Sequence, residues 1–285
     1  MVQAVLEPGA AIHDGAGDVV TDNRIAQMLH TLQTAPGISM TIAQRLQTHT
    51  IYVPDQSLMQ LHMPIAPMID HTLLKADATP AQIEQLCAEA QAYRFASVCV
   101  NPAYIPLCVQ LLRDSSVMIC TVIGFPLGAT TTATKVYETR QALTDGAHEV
   151  DMVLAVGRLK AGDYAYVLDD LTQVVEIAHA EGATCKVIIE TALLNDDEKI
   201  AACLLVWSVR ADYVKTSTGF ASGGATADDV ALIARIVGPS VGVKASGGIR
   251  TLADAYALIM AGATRIGSSA GVQMVQEANG INASP

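Results

Sequence analysis

A lysine inside an apolar strand is costly, because its ammonium loses water. Two of the seven lysines in this 285-residue chain stand in that setting. Lys215 closes the run Tyr213-Val214-Lys215 and leads into Thr216-Ser217-Thr218-Gly219. Lys244 closes Gly242-Val243-Lys244 and leads into Ala245-Ser246-Gly247-Gly248. Alone, either lysine would read as a snorkelling or ion-paired structural residue. As a pair at the ends of consecutive strands, which lie about 4.8 Å apart when parallel and adjacent, they suggest more. Like charges in one cavity disfavour the ammonium form, and a neutral amine is the nucleophile of Schiff-base chemistry. Glu149-Val150-Asp151 adds two carboxylates on one strand face. Glu149 reads as the deeper ion-pair partner and Asp151 as the proton-transfer group nearer the mouth.

Glycine and serine cluster where a phosphate could be held. Gly247-Gly248 follows the strand of Lys244, Gly267-Ser268-Ser269 follows the next apolar run, and Gly219 follows Lys215. Glycines expose backbone N–H groups and serines add hydroxyl donors. Any single Gly-Gly pair also fits an ordinary turn.

These residues need elements to position them. From residue 65, short Val/Ile-rich runs alternate with helical patterns. The runs predict strands at 68–73, 97–100, 118–123, 149–154, 186–190, 213–216, 242–245 and 265–267. Between them, Thr79-Pro80 with Gln82, Asn195 with Glu198, Thr226 with Asp229 and Thr251 with Asp254 read as helix starts. Eight such units in about 215 residues match a (β/α)8 TIM barrel, whose chemistry sits at the C-terminal ends of the strands. A doubly wound open sheet is the structural alternative, but no GxGxxG follows the first strand.

Residues 1–64 form an N-terminal extension without lysine, leaving 65–285 for the barrel. In the extension, Asp22 could cap a helix over about 24–33, Pro36-Gly37 would break it, a second helix could span 41–47, and 51–53 could be a strand. Its apolar surface could favour a homodimer.

Composition narrows the classes. With 51% hydrophobic and 16% charged residues, the chain builds a core rather than a disordered segment. A net charge of −11 argues against nucleic acid. No apolar run reaches membrane-span length, and the acidic opening lacks a signal-peptide pattern, so a cytoplasmic protein is expected. Six cysteines standing singly read as buried free thiols, with no zinc pattern and no cofactor expected. His71, between Asp70 and Thr72, reads as structural, as does Trp207. Lys75, Lys135, Lys160, Lys186 and Lys199 are expected near element ends or in helices and loops, and no catalysis is assigned to them.

IDHTLLK at 69–75, VIGFPLG at 122–128, EVDMV at 149–153, IIETALL at 188–194, VKTSTGF at 214–220, VKASGGIR at 243–250 and IGSSAG at 266–271 together resemble the deoxyribose-phosphate aldolase family. The resemblance spans about residues 65–278. It implies a metal-free class I aldolase that cleaves 2-deoxy-D-ribose 5-phosphate to acetaldehyde and D-glyceraldehyde 3-phosphate. It implies Lys215 as the Schiff-base lysine, Lys244 as the lysine that lowers its pKa and shuttles protons, and Asp151 as proton donor and acceptor. Gly219, Ser246, Gly247, Gly248, Ser268 and Ser269 fall where the family holds phosphate, and Asp70, Thr72 and Cys99 on strands that line the pocket. The closing stretch EANGINASP carries no tyrosine like the one some members bring to the phosphate. A lysine aldolase for another aldehyde and a silent sugar-phosphate-binding barrel are the competing readings. The second would be favoured by loss of Lys215, Lys244 or Asp151, and all three are present.

Overall fold

Thr79, Pro80 and Gln82 start a helix for the reason their types suggest. The Thr79 hydroxyl accepts from Gln82 N, and the Gln82 side chain accepts from Thr79 N. The same reciprocal box opens the helices after Asn195 and Thr251, while Thr226 caps its helix singly. Each box satisfies two backbone N–H groups that the first turn leaves without partners.

The computed structural model describes residues 15–52 and 64–280. Eight parallel strands close on themselves in sequence order: β1 Ile69–Leu73, β2 Ser97–Val100, β3 Met118–Ile123, β4 Glu149–Val153, β5 Thr184–Ile188, β6 Tyr213–Lys215, β7 Gly242–Ser246 and β8 Arg265–Ser268. All eight expected strands are present. Only β5 departs from its expected bounds by more than one residue, beginning and ending two residues earlier, and Glu190 consequently lies beyond its strand. The helices that wrap the barrel are α3 Pro80–Tyr93, α4 Ile105–Leu111, α5 Thr132–Thr144, α6 Val156–Lys160, α7 Tyr164–Ala180, α8 Asp196–Ser208, α9 Ala227–Val237, α10 Leu252–Met260 and α11 Gly271–Ala278.

Period-two alternation divides each strand between two environments. Val150, Met152, Val187 and Val214 are fully buried in the main apolar core. Burying each such side chain stabilises by about 1.5–3 kcal/mol. The alternate positions, including Asp70, Asp151, Lys186 and Lys244, are equally buried but ionisable. The barrel therefore has an apolar sleeve and a charged centre.

Before the barrel lie α1 (Gly15–Thr34) and α2 (Met40–Gln47). Their apolar residues Ile25, Leu32 and Leu46 are buried in the same core as the barrel's, which leaves less apolar surface for self-association than the sequence suggests. Arg24 pairs with Asp196 and Asp197 at the start of α8, at 3.1 and 2.9 Å. Asp22 does not cap a helix. It lies within α1 and pairs with Arg235 of α9 at 2.8 Å. Ile51 and Tyr52 are not in a strand, although Tyr52 N donates to Arg235 O; Val53 lies outside the described residues. Trp207 is a packing residue, edge-on to His49 and donating to Ser240 Oγ.

Candidate active site

Asp151 sits mid-strand on β4 with no exposed surface. Its Oδ1 accepts from Lys186 Nζ at 2.8 Å and from Cys120 Sγ at 3.2 Å. Its Oδ2 accepts from Lys215 Nζ at 2.8 Å and Lys244 Nζ at 2.6 Å. Three strands thus deliver one lysine each to a single carboxylate. Register explains it: Asp151 pairs with Lys186 across β4–β5, and Lys215 with Lys244 across β6–β7.

A second layer supports the first. Lys244 also meets Asp70 of β1 at 2.5 Å, and Lys186 meets Glu149 at 2.6 Å. Arg265 of β8 reaches Asp70 at 2.6 Å and Glu149 at 3.4 Å. Glu149 is therefore the deeper ion-pair partner that sequence suggests. Among the described residues this cluster sets Lys186, Lys215, Lys244 and Arg265 against Asp70, Glu149 and Asp151, one positive charge in excess.

These pairings set the charge states. Burial alone would raise the Asp151 carboxyl, but Lys186, Lys215 and Lys244 outweigh it and hold it well below the usual carboxylate range. Asp70 is likewise held low against its burial, by Lys244, Lys186 and Arg265. Burial pulls Lys244 down, yet Asp151 and Asp70 push it above the ordinary lysine value. Lys186 is pushed up against its burial, chiefly by Asp151. The like-charge effect expected from sequence is thus reversed for Lys244, which is held as ammonium. Two neighbouring cations alone would favour a neutral amine, but the carboxylates facing them outweigh that repulsion.

Lys186 is the residue that sequence reasoning missed. Instead of standing at an element end, it is fully buried inside β5. Its signal is the same as for the other two: a lysine within an apolar run, Cys185-Lys186-Val187-Ile188. Lys135 is also fully buried, in α5, where it pairs with Asp170 of α7 at 2.5 Å and donates to Val153 O. That pair lies on the sleeve, away from Asp151.

Cys99 and Cys120 are register partners across β2–β3 and face the same interior. Cys120 is pushed up by burial and by Cys99, while hydrogen bonding with Cys120 lowers Cys99. With Asp151 they form a donor group compact enough for a metal, but Lys186 already engages Asp151 Oδ1 and Cys120. Thr72 is half-buried and donates to Asp70 O. His71 contacts Glu89 of α3 at 2.7 Å, on the outer face.

The loops above the lysines are cross-tied. Gly219, Gly247 and Gly248 adopt φ of +84°, +87° and +79°, which glycine takes without strain. Ala225 N donates to Ser246 O, and Gly224 packs directly on the backbone of Gly247. The Ser246 hydroxyl is spent on Ser217 O and that of Ser268 on Ile249 O. These two serines brace the loops rather than offering free donors. Gly219, Gly248 and Ser269 are exposed. Gly267 serves differently. A Cβ there would lie 3.1 Å from Lys244 Cε, so its bare backbone makes room for the lysine stem. Two grooves, of about 670 and 510 Å³, lie around Trp207 and between α2 and α7, apart from this cluster.

The model of the DeoC/LacD family aldolases matches residues 65–277. The chain belongs to that aldolase family. Over 214 residues it is 59% identical to the deoxyribose-phosphate aldolase of Carboxydothermus hydrogenoformans, covering 74% of this chain and 94% of that protein. It is 54% identical over 223 residues to that of Thermoanaerobacter sp., covering 78% of this chain and 100% of the relative. Among solved structures, the tetrameric deoxyribose phosphate aldolase from Aeropyrum pernix superposes with a TM-score of 0.72 at 34% identity, covering 79% of this aldolase and 95% of that chain. A Coccidioides immitis structure matches at 37% identity and TM-score 0.75 over 94% of this chain and 99% of its own. That share reaches beyond the barrel into the residues before it. No described helix of this aldolase is long and apolar enough to cross a membrane.

Proposed function

We propose that this aldolase reversibly cleaves 2-deoxy-D-ribose 5-phosphate to acetaldehyde and D-glyceraldehyde 3-phosphate through a Schiff base on Lys215. The observation that carries the reading is the shared oxygen Asp151 Oδ2, within hydrogen-bond reach of Lys215 Nζ and Lys244 Nζ alike. A carboxylate oxygen in that position can relay a proton between the Lys244 ammonium and the intermediate formed on Lys215.

In this reading neutral Lys215 attacks the C1 aldehyde of the open-chain sugar. Loss of water gives an iminium ion, which draws electrons from the C2–C3 bond as the C3 hydroxyl loses its proton to the Asp151–Lys244 pair. The bond breaks, D-glyceraldehyde 3-phosphate leaves, and an enamine remains on Lys215. A proton returned to C2 and a water molecule added to the imine release acetaldehyde and the amine. Lys244, kept as ammonium by Asp151 and Asp70, supplies positive charge and protons. Lys186 holds Asp151 Oδ1 and so fixes the direction of Oδ2. Gly219, Gly247, Gly248 and Ser269 offer backbone and hydroxyl donors to the phosphate, and that remote binding orients the reacting carbons. Asp70 holds Lys244, while Thr72 and Cys99 line the wall.

The reading divides the chain into the extension 1–64 and the barrel 65–285, supported by a family match that begins at residue 65. It includes a homodimer, supported by Met40 of α2, which is 79% exposed, and tested by light scattering. It also includes a cytoplasmic location, supported by six free, buried thiols.

The test is to add acetaldehyde and borohydride to the protein and sequence the modified tryptic peptide by mass spectrometry. A reduced two-carbon adduct on Lys215 supports the reading. An adduct on another lysine, or none, sinks it.

A further inference from the structure

Among the described residues, Glu190 is the one acidic side chain whose backbone adopts the left-handed region, at φ +55° and ψ +69°. Arg94 and Arg210, the other described non-glycine residues with positive φ, sit at helix ends where such a turn closes the helix. Glu190 instead lies two residues past β5, and a left-handed conformation costs a residue with a Cβ about 1–2 kcal/mol. The conformation brings the side chain inward, where the residue is only 3% exposed. Its Oε2 accepts from both Thr218 N and Thr218 Oγ1. Its Oε1 is buried without a hydrogen-bond partner.

Both residues line a cavity of about 130 Å³ whose other walls include Pro126, Leu127, Val153 and Phe220. Thr218 stands three residues after Lys215, and Val153 two after Asp151 on the same strand face, so the cavity belongs to the mouth above the lysines. A hydroxyl has one proton and two lone pairs. Thr218 spends the proton on Glu190 and one lone pair on Phe220 N. What it still offers is a lone pair. The free carboxylate oxygen of Glu190 likewise only accepts. In an otherwise apolar cavity, a buried acceptor without a partner favours a ligand that brings a donor.

We infer that Glu190 is a specificity-determining residue that fixes Thr218 as an acceptor and, with it, presents a pair of acceptor side chains selecting aldehydes that carry a hydroxyl. This rests on the aldolase reading above and extends it to the choice of acceptor aldehyde. A carbonyl or ether finds no side-chain donor at this wall, an alkyl group leaves Oε1 unpaired, and a hydroxyl satisfies it.

The experiment measures aldol addition of acetaldehyde to D-glyceraldehyde and to propanal, which has no hydroxyl, in the wild type, Glu190→Gln and Thr218→Val. Glu190→Gln keeps the shape but puts an amide donor on the side chain. Thr218→Val removes the hydroxyl at nearly constant volume and reads the same wall if the first variant fails to fold. The expected result is a fall of about tenfold in the ratio of kcat/KM for D-glyceraldehyde over propanal, in either variant. A loss shared equally by the two aldehydes, which a merely structural role would give, overturns the inference. Acetaldehyde–borohydride labelling of Lys215 is run on the same samples. A labelled wild type with unchanged ratios refutes the inference alone, and an unlabelled wild type refutes the aldolase reading and the inference with it.

Discussion

Lys215 and Lys244 point their Nζ atoms at one oxygen, Asp151 Oδ2, from strands that are register neighbours. The two are not equivalent. Lys244 has a second carboxylate, Asp70, and Lys215 has none within ion-pair distance among the described residues. The same pair of charges therefore divides into one held cation and one lysine with a single partner.

Replacing Lys244 by methionine removes the held cation and keeps the volume. Turnover in the cleavage assay is expected to fall by about a hundredfold or more, within the range of a lost acid–base group. Steady-state kinetics should place the loss in kcat more than in KM, and wild-type-like turnover would remove Lys244 from the mechanism.

Lys186 neutralises Glu149 and Asp151 from a fully buried position. Lys186→Met takes the ammonium away from Asp151 Oδ1 and Glu149 Oε2, and breaking a buried pair in this way costs about 3–5 kcal/mol. The check is the urea midpoint: an unchanged midpoint would mean that Lys215, Lys244 and Arg265 suffice to hold the carboxylates.

Stability should be flat across neutral pH and fall at both extremes. Asp70 and Asp151 have folded pKa values held low, so their contribution is present above the ordinary carboxylate value of about 4 and lost as pH falls toward the folded values. Lys186 and Lys244 are held high, so theirs is complete below about 10.4 and lost as pH rises through the folded values. Thermal melts from pH 3 to 11 test this, and Asp70→Asn should weaken the acid-side slope.

Gly267→Ala puts a methyl group 3.1 Å from Lys244 Cε and 3.0 Å from Ser246 Cβ. The stem of Lys244 has to give by a few tenths of an ångström. Activity is expected to drop about tenfold, as small misplacements of a catalytic group do, while the circular dichroism spectrum stays that of the wild type.

Chelation should change nothing. Asp151 Oδ1 and Cys120 Sγ, which could join a metal site, are both engaged by Lys186. Turnover before and after EDTA dialysis is the measurement.

Most of the fold is legible in the sequence because local rules and global packing agree. Val-rich runs are strands, and Thr79, Asn195, Thr226 and Thr251 cap the helices that their types and spacing suggest. Lys215, Lys244 and Asp151 stand out as charges among apolar neighbours. Arg265 is not legible, because its partner Asp70 lies 195 positions away and only barrel closure brings them together. Lys186 is legible in principle, but its apolar run places the lysine at the strand's edge, whereas β5 begins at Thr184 and encloses it. Asp22 has the residue type of a cap, and its partner Arg235 is set by packing across the chain. Glu190 gives no signal, since its backbone conformation is imposed by the fold.

Asp70 leaves the ribosome long before its counter-ions. At about 5–20 residues per second, the 195 positions to Arg265 amount to roughly ten to forty seconds of synthesis during which β1 has a carboxylate with no place in a dry interior. The growing chain is thus kept from settling its core early, and the cluster around Asp70 and Asp151 is not complete until β8 has docked against β1. Closure of the barrel and completion of the charged cluster become a single event.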